Sequence, residues 1–167
     1  MADIALLLDS TRSFPREERL DVMDALRNIN ARLLVLYGIR AYPLCENNCK
    51  IIRNLINIIS LIPDIDGPPE PYRAVKEAVE YSIQYNYILD NIILIWSAPR
   101  KPLVDLRIAF NLAEALGMRL YLVITKPHSA RWLIKIINNL ADKRIIIPRK
   151  GQNVRKVIEK LVNELIQ

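Results

Sequence analysis

The run Ile4-Ala5-Leu6-Leu7-Leu8-Asp9-Ser10-Thr11-Arg12-Ser13 decides the fold class of this chain. It begins with an unbroken apolar stretch and ends abruptly in an acid followed by small and charged polar residues. An apolar stretch of this length is typical of a strand buried on both faces, as in a parallel sheet. Open α/β sheets place their binding crevice at the C-terminal ends of the strands. The sequence therefore predicts a candidate site at Asp9.

Further apolar runs follow, and segments with helical periodicity separate them. Strands are predicted at 33–37, 91–96, 120–124 and 144–147, with a short edge strand at 42–44 inside the irregular segment 39–48. Helices are predicted at 15–28, 49–62, 72–86, 106–116, 130–140 and 153–166. Strands that alternate with helices through short loops form a mainly parallel sheet covered on both faces. We expect one doubly wound, Rossmann-like α/β domain over residues 1–167, with about five or six strands.

Composition places the chain among globular proteins with one good-sized core, since 51% of its 167 residues are apolar. No apolar run has the length of a membrane span, and the N-terminus lacks the features of a secretory signal. We therefore expect a cytoplasmic protein that does not contact membranes. Cys45 and Cys49 are too few for a disulfide framework, so free thiols are predicted, with a local disulfide as the alternative.

Positive charge is concentrated towards the C-terminus. Residues 119–167 hold 11 of the 24 lysines and arginines and three of the 18 acids, and the whole chain carries a net charge of +6. This pattern has two interpretations. Either the cations form the solvated face of a helix, or the part from Lys143 to Lys160 binds nucleic acid or phosphate.

Several catalytic motifs are absent from the sequence. With four glycines in all, the chain carries neither a dinucleotide-binding Gly-x-Gly-x-x-Gly nor a phosphate-binding loop. The single histidine, His128, belongs to no recognisable nucleophile arrangement. A metal-dependent enzyme, the third hypothesis, would need a second acid beside Asp9. We expect no catalytic residue and no enzymatic activity.

Three polar residues at alternate positions after the first strand form a candidate metal site. Asp9, Thr11 and Ser13 offer a carboxylate and two hydroxyls, the oxygen ligands that Mg²⁺ or Mn²⁺ takes. The alternative interpretation is structural. An aspartate commonly caps backbone amides at such a turn, and threonine and serine cap turns and helices.

The pattern Asp9-x-Thr11-x-Ser13 after a first strand resembles the von Willebrand factor A-type domain, whose metal-ion-dependent adhesion site begins Asp-x-Ser-x-Ser. The resemblance extends along the chain. The stretch 67–78 is similar to the family's Gly-Gly-Thr loop and the helix that follows it, 93–98 to its strand ending Thr-Asp-Gly, and 113–121 to the next helix and strand. It implies an A-type topology and a protein-interaction function.

Two departures from the family pattern concern the metal site. Pro69 stands where the family has its metal-contacting threonine, and Ser97 stands where it has its second aspartate. One carboxylate then remains to neutralise a divalent ion. We therefore expect a degenerate site, with no cofactor or with Mg²⁺ or Mn²⁺ bound weakly at Asp9, Thr11 and Ser13.

The same end of the sheet is predicted to bind a partner protein. The residues assigned to that role are Arg12, Arg40, Glu70, Ser97, Arg100, Lys101 and Lys126. Cations at this place suit an acidic peptide or a phosphate that binds without a bridging ion. The alternative is a set of scattered surface cations. The expected function is a non-catalytic protein-interaction module of undetermined oligomeric state.

Overall fold

The computed structural model describes residues 3–27, 29–51, 53–126 and 131–166. Its strands are β1 (Ile4–Asp9), β2 (Asn30–Tyr37), β3 (Ala41–Lys50), β4 (Asn91–Trp96), β5 (Arg119–Ile124) and β6 (Arg144–Ile146). Its helices are α1 (Arg16–Ala25), α2 (Arg53–Leu61), α3 (Pro71–Gln84), α4 (Leu106–Ala115), α5 (Arg131–Asn139) and α6 (Val154–Ile166). The sheet order is β3-β2-β1-β4-β5-β6, and every pair is parallel except β2 with β3. The predicted doubly wound α/β fold is confirmed.

The strand order places the ends of β1 and β4 side by side. The chain begins at the centre of the sheet, extends through β2 and β3 to one edge, and then crosses back to β4 on the other side of β1. Leu8 pairs with Ile95, so the residues that follow each strand emerge together. Such a reversal of strand order opens a crevice at the carboxyl ends of the two strands.

Helices cover both faces of the sheet. Buried residues of α3, α4 and α5 pack on one face, and those of α1, α2 and α6 pack on the other. Both β1 and β4 are buried along their whole length, as their apolar sequences predict. Arg155 of α6 also bridges to Asp21 and Asp24 of α1, with N–O distances of 2.9 and 2.7 Å.

The edge strand β3 is longer than the sequence predicts. Ala41–Lys50 pairs antiparallel with β2, whereas a strand was predicted only at 42–44, and α2 begins at Arg53 rather than at Cys49. Most β3 residues are polar or exposed, so they show no apolar periodicity. The strand forms because β2 offers its backbone groups, and an edge position tolerates Pro43.

Cys45 and Cys49 form a disulfide, which corrects the prediction of free thiols. Four residues of regular strand span about 13 Å, but the two Cα atoms lie 5.7 Å apart. The pairing register of β3 shifts opposite Arg32, and Asn47 between the cysteines has a positive φ of 74°. The bulge in the edge strand therefore brings the two sulfurs together.

The predicted end of the first helix at residue 28, the predicted start of the fifth helix at residue 130, and His128 lie outside the described residues. Within the described ranges, no helix combines the length and apolar character needed to cross a membrane.

Candidate functional site

The carboxylate of Asp9 is fully buried at the end of β1 and accepts four hydrogen bonds. Its Oδ1 accepts from the backbone N–H of Thr11 at 3.0 Å and from the Thr11 hydroxyl at 2.7 Å. Its Oδ2 accepts from the backbone N–H of Ser97 at 2.9 Å and from the Ser97 hydroxyl. Asp9 thus joins the turn after β1 to the turn after β4.

Ser13 closes these contacts into a ring. Its hydroxyl oxygen lies 2.7 Å from the Thr11 hydroxyl and 2.7 Å from the Ser97 hydroxyl. We call Asp9, Thr11, Ser13 and Ser97 the hydroxyl ring. It contains four oxygen–oxygen contacts, but with Asp9 ionised its three hydroxyls supply only three protons. One contact therefore has no hydrogen between its two oxygens. A proton on Asp9 or a cation among the oxygens would relieve this shortage.

The environment of Asp9 also favours a proton on its carboxyl group. Burial raises the pKa of its carboxyl above the usual value of 3.8, and the hydrogen bonds from Ser97 and Thr11 only partly offset that effect. Burial therefore favours the protonated form of Asp9 more than in a solvent-exposed aspartate.

The hydroxyl ring fits a divalent ion in chemistry but not in charge. One carboxylate and three hydroxyls are hard oxygen donors of the kind that Mg²⁺ and Mn²⁺ accept. Asp9 is the single acid among them. In the part of the chain that the structure describes, no three acidic, histidine or cysteine side chains come together as a metal-binding group.

A groove of about 500 Å³ lies over the hydroxyl ring. Arg12 and Arg100 line it together with two hydroxyl-ring residues. The remaining lining residues belong to the loop before α3 and to the turn after β4; they are Asp64, Ile65, Asp66, Gly67, Pro68, Pro69 and Pro99. We call this surface the strand-end groove. The prolines limit the motion of its walls because each has a fixed φ.

A buried arginine holds one wall of the strand-end groove in place. The Arg19 guanidinium donates to the carbonyl oxygens of Phe14 at 2.7 Å and Ser10 at 3.3 Å, and it pairs with the carboxylate of Asp64. The backbone N–H of Ile65 also donates to the Ser10 carbonyl oxygen at 2.9 Å. This role of Arg19 was not predicted from the sequence. Helical spacing could have indicated that Arg19 is buried, because it shares the helical face of Val22, Met23 and Leu26.

The structure separates the residues that were predicted to bind a partner. Arg12 and Arg100 line the strand-end groove, and Ser97 lies beneath it in the hydroxyl ring. Lys126 lies beside them, with its Nζ 3.2 Å from the Ser13 carbonyl oxygen and 3.9 Å from the Glu18 carboxylate.

Three of the residues in that prediction do not line the strand-end groove. Arg40 is exposed on the turn after β2, and Lys101 lines a different groove. Glu70 is only 4% exposed, and its carboxylate accepts a hydrogen bond from the Leu103 N–H at 3.1 Å. Burial raises the pKa of Glu70, and the Leu103 N–H partly offsets the shift. In this position Glu70 tethers the loop after β4, and its part in partner binding stays a prediction.

Two of the seven cations between Lys143 and Lys160 are engaged in ion pairs. Arg155 pairs with Asp21, Asp24 and Glu159, and the Lys143 Nζ lies 3.0 Å from the Glu114 carboxylate. These pairs engage cations that the nucleic-acid hypothesis requires. The structure gives that hypothesis no support.

Solved structures with this fold were found by comparison of the whole chain. An aerotolerance-related membrane protein from Bacteroides fragilis matches with a TM-score of 0.67 and 12% identity, over 98% of this chain and 100% of that one. BatB from Bacteroides thetaiotaomicron matches with a TM-score of 0.67 and 11% identity, over 99% of each chain. Manganese-loaded TRAP from Plasmodium vivax matches with a TM-score of 0.63 and 15% identity, over 100% of this chain and 72% of that one.

The chain has a von Willebrand factor A-type fold. The A-type fold is shown by structural likeness, because no family model matches the sequence and no curated protein matches it. A mussel byssus protein with a zinc-occupied metal-ion-dependent adhesion site is also similar, with a TM-score of 0.63 and 13% identity, and this chain spans 47% of its length.

Proposed function

We propose that this chain is a non-catalytic protein-interaction module that binds an acidic segment of a partner protein in the strand-end groove. The observation that carries the proposal is the position of Arg12 and Arg100 on the groove directly above the hydroxyl ring. Arginine binds carboxylates through two parallel hydrogen bonds, so the two side chains suit acidic groups of a partner.

The A-type fold of the neighbouring structures supports an interaction function. The hydroxyl ring is consistent with this function, because Thr11, Ser13 and Ser97 use their hydroxyls to join two loops beneath the groove. The ring therefore stabilises the groove floor, and the exposed arginines provide the contact groups.

A divalent ion takes a minor part in this proposal. Asp9, Thr11 and Ser13 would hold Mg²⁺ or Mn²⁺, which would supply positive charge at the groove floor. We expect weak binding because one carboxylate neutralises only half the charge of the ion. Partner binding then depends on Arg12 and Arg100 rather than on the metal.

Charge reversal at the groove tests the proposal. Tagged wild-type protein and the double variant Arg12→Glu/Arg100→Glu are used as baits in extracts of the source cells. Arg119→Glu is the matched control, because Arg119 is exposed at the opposite end of the sheet. Wild type and the control should capture the same partners, and the double variant should not capture them. Wild type should still capture them in the presence of a chelator. Identical capture by all three baits would refute partner binding in the strand-end groove. Loss of capture by wild type in chelator would show that the metal is needed.

A further inference from the structure

A second groove lies on the other side of the loop that follows β4. It has a volume of about 360 Å³ between that loop and α5. We call it the Trp132 groove. The loop residues Pro99 and Arg100 line the strand-end groove, whereas Lys101 and Leu103 line the Trp132 groove. The two surfaces therefore share a wall but have no lining residue in common.

The floor of the Trp132 groove is apolar. Trp132 packs against the buried Trp96 with ring centroids 6.1 Å apart, and it is only partly covered. Ile136 and Leu140 continue the apolar lining along α5. Leu103 is 82% exposed on the opposite wall. A partly exposed tryptophan in a concave site is typical of protein interfaces.

The rim of the Trp132 groove is cationic. Lys101, Arg107 and Lys135 line it with a single acid, Asp105, whose carboxylate already lies 2.8 Å from Arg107. Among the described residues, neither Lys101 nor Lys135 forms an ion pair. The groove therefore presents two ammonium groups that are outside any ion pair, beside an apolar floor.

The wall formed by the loop is held before any partner arrives. The Glu70 carboxylate fixes the Leu103 backbone, and the Asp105 carboxylate caps α4 by accepting from the Arg107 N–H at 2.9 Å. Pro102 further restricts the loop. A preformed groove reduces the ordering cost of binding.

We propose that the Trp132 groove docks a short acidic segment of a protein, with one bulky apolar side chain against Trp132 and carboxylates on Lys101 and Lys135. The volume suits one large side chain with its flanking backbone. Complementary charge favours an acidic segment over a basic one. This surface is distinct from the strand-end groove and does not depend on the function proposed for it.

The test uses ¹⁵N-labelled protein, whose two tryptophans each give an indole N–H signal. Trp132→Phe identifies the Trp132 signal. The probe is an acetylated peptide of aspartates with one central phenylalanine, and the comparison peptides replace the aspartates by lysines or the phenylalanine by serine. We expect the acidic phenylalanine peptide alone to shift the Trp132 signal with saturation.

Variants assign the binding to this groove. Lys101→Glu and Lys135→Glu should each weaken the peptide at least about tenfold, and Arg119→Glu, at the opposite end of the sheet, should leave its affinity unchanged. The proposal is overturned if the Trp132 signal does not move, if the lysine peptide binds as well, or if single-stranded oligothymidylate shifts the signal in place of the peptide. Failure here leaves the charge-reversal result at the strand-end groove unaffected.

Discussion

Ser97 donates both its backbone N–H and its hydroxyl to one oxygen of Asp9, Oδ2, although 88 positions separate the two residues in sequence. The other oxygen, Oδ1, serves Thr11 in the same way. One buried carboxylate therefore joins the ends of the two central parallel strands. The candidate site lies at these two strand ends, so the same four hydrogen bonds stabilise both the fold and the site.

Asp9→Asn should destabilise the protein by about 3 kcal/mol, because the amide nitrogen cannot accept the two hydrogen bonds made to the oxygen it replaces. Urea unfolding measures the loss. Asp66→Asn is the matched control, since the Asp66 side chain is exposed and lies in the neighbouring loop. A loss no larger than that of the control would show that the hydroxyl ring contributes little to stability.

Ser97→Asp should convert the site into one that depends on a metal. In chelator the second carboxylate faces Asp9 without a counter-ion, and the melting temperature falls. Mn²⁺ should then raise it by about 5 °C or more, since an ion that binds only the folded state stabilises that state. Thermal unfolding with and without Mn²⁺ checks this. Ser97→Asn has the same size without the charge and should respond no more than wild type; an equal response of all three proteins would contradict the charge argument.

Gly38→Ala should destabilise the protein by about 1–3 kcal/mol through overpacking. A Cβ on Gly38 would collide with the Asp66 carbonyl oxygen and lie 2.7 Å from Ile65 Cγ2. The loop that lines the strand-end groove would have to move. Gly67→Ala in the same loop is the control, because its nearest contact would be 3.4 Å. Equal midpoints for the two variants in urea unfolding would argue against close packing at Gly38.

Asp64→Asn should cost about 1 kcal/mol near neutral pH, a modest value because the Asp64 side chain is one-third exposed. Hydrogen bonding from Arg19 lowers the pKa of Asp64 below 3.8. Because the pKa of Asp64 is lower in the folded state, the ion pair stabilises the protein at pH values above 3.8, the pKa of the unfolded chain. This stability is lost as the pH falls through the pKa of the folded state. The difference between wild type and variant should therefore shrink below about pH 4 in urea unfolding. A difference that does not change with pH would contradict the ion pair.

The double substitution Cys45→Ser/Cys49→Ser should cost about 2 kcal/mol, the value expected for a short closed loop in the chain-entropy account. The fold should survive, since β3 keeps its pairing with β2 along Ala41–Lys50. Mass spectrometry of the unreduced wild-type protein should show two hydrogens fewer than the reduced form. No mass change on reduction would show that the cysteines are free.

Local sequence was sufficient to predict the central architecture. The apolar runs of β1 and β4 and the periodicity of α3 and α4 gave elements within a few residues of those observed, because burial on a strand or a helix leaves its own period in the sequence. The position of Asp9 at a strand end followed from the same pattern.

Three features were decided by tertiary structure alone. The polar strand β3 exists because β2 offers it backbone partners, and its bulge creates the contact between Cys45 and Cys49. The hydroxyl ring closes because the sheet order sets β4 beside β1. The burial of Glu70 follows from the loop that covers it. Each depends on groups that are far apart in sequence. The periodicity of apolar residues predicts which residues are buried, but it does not predict which distant groups they contact.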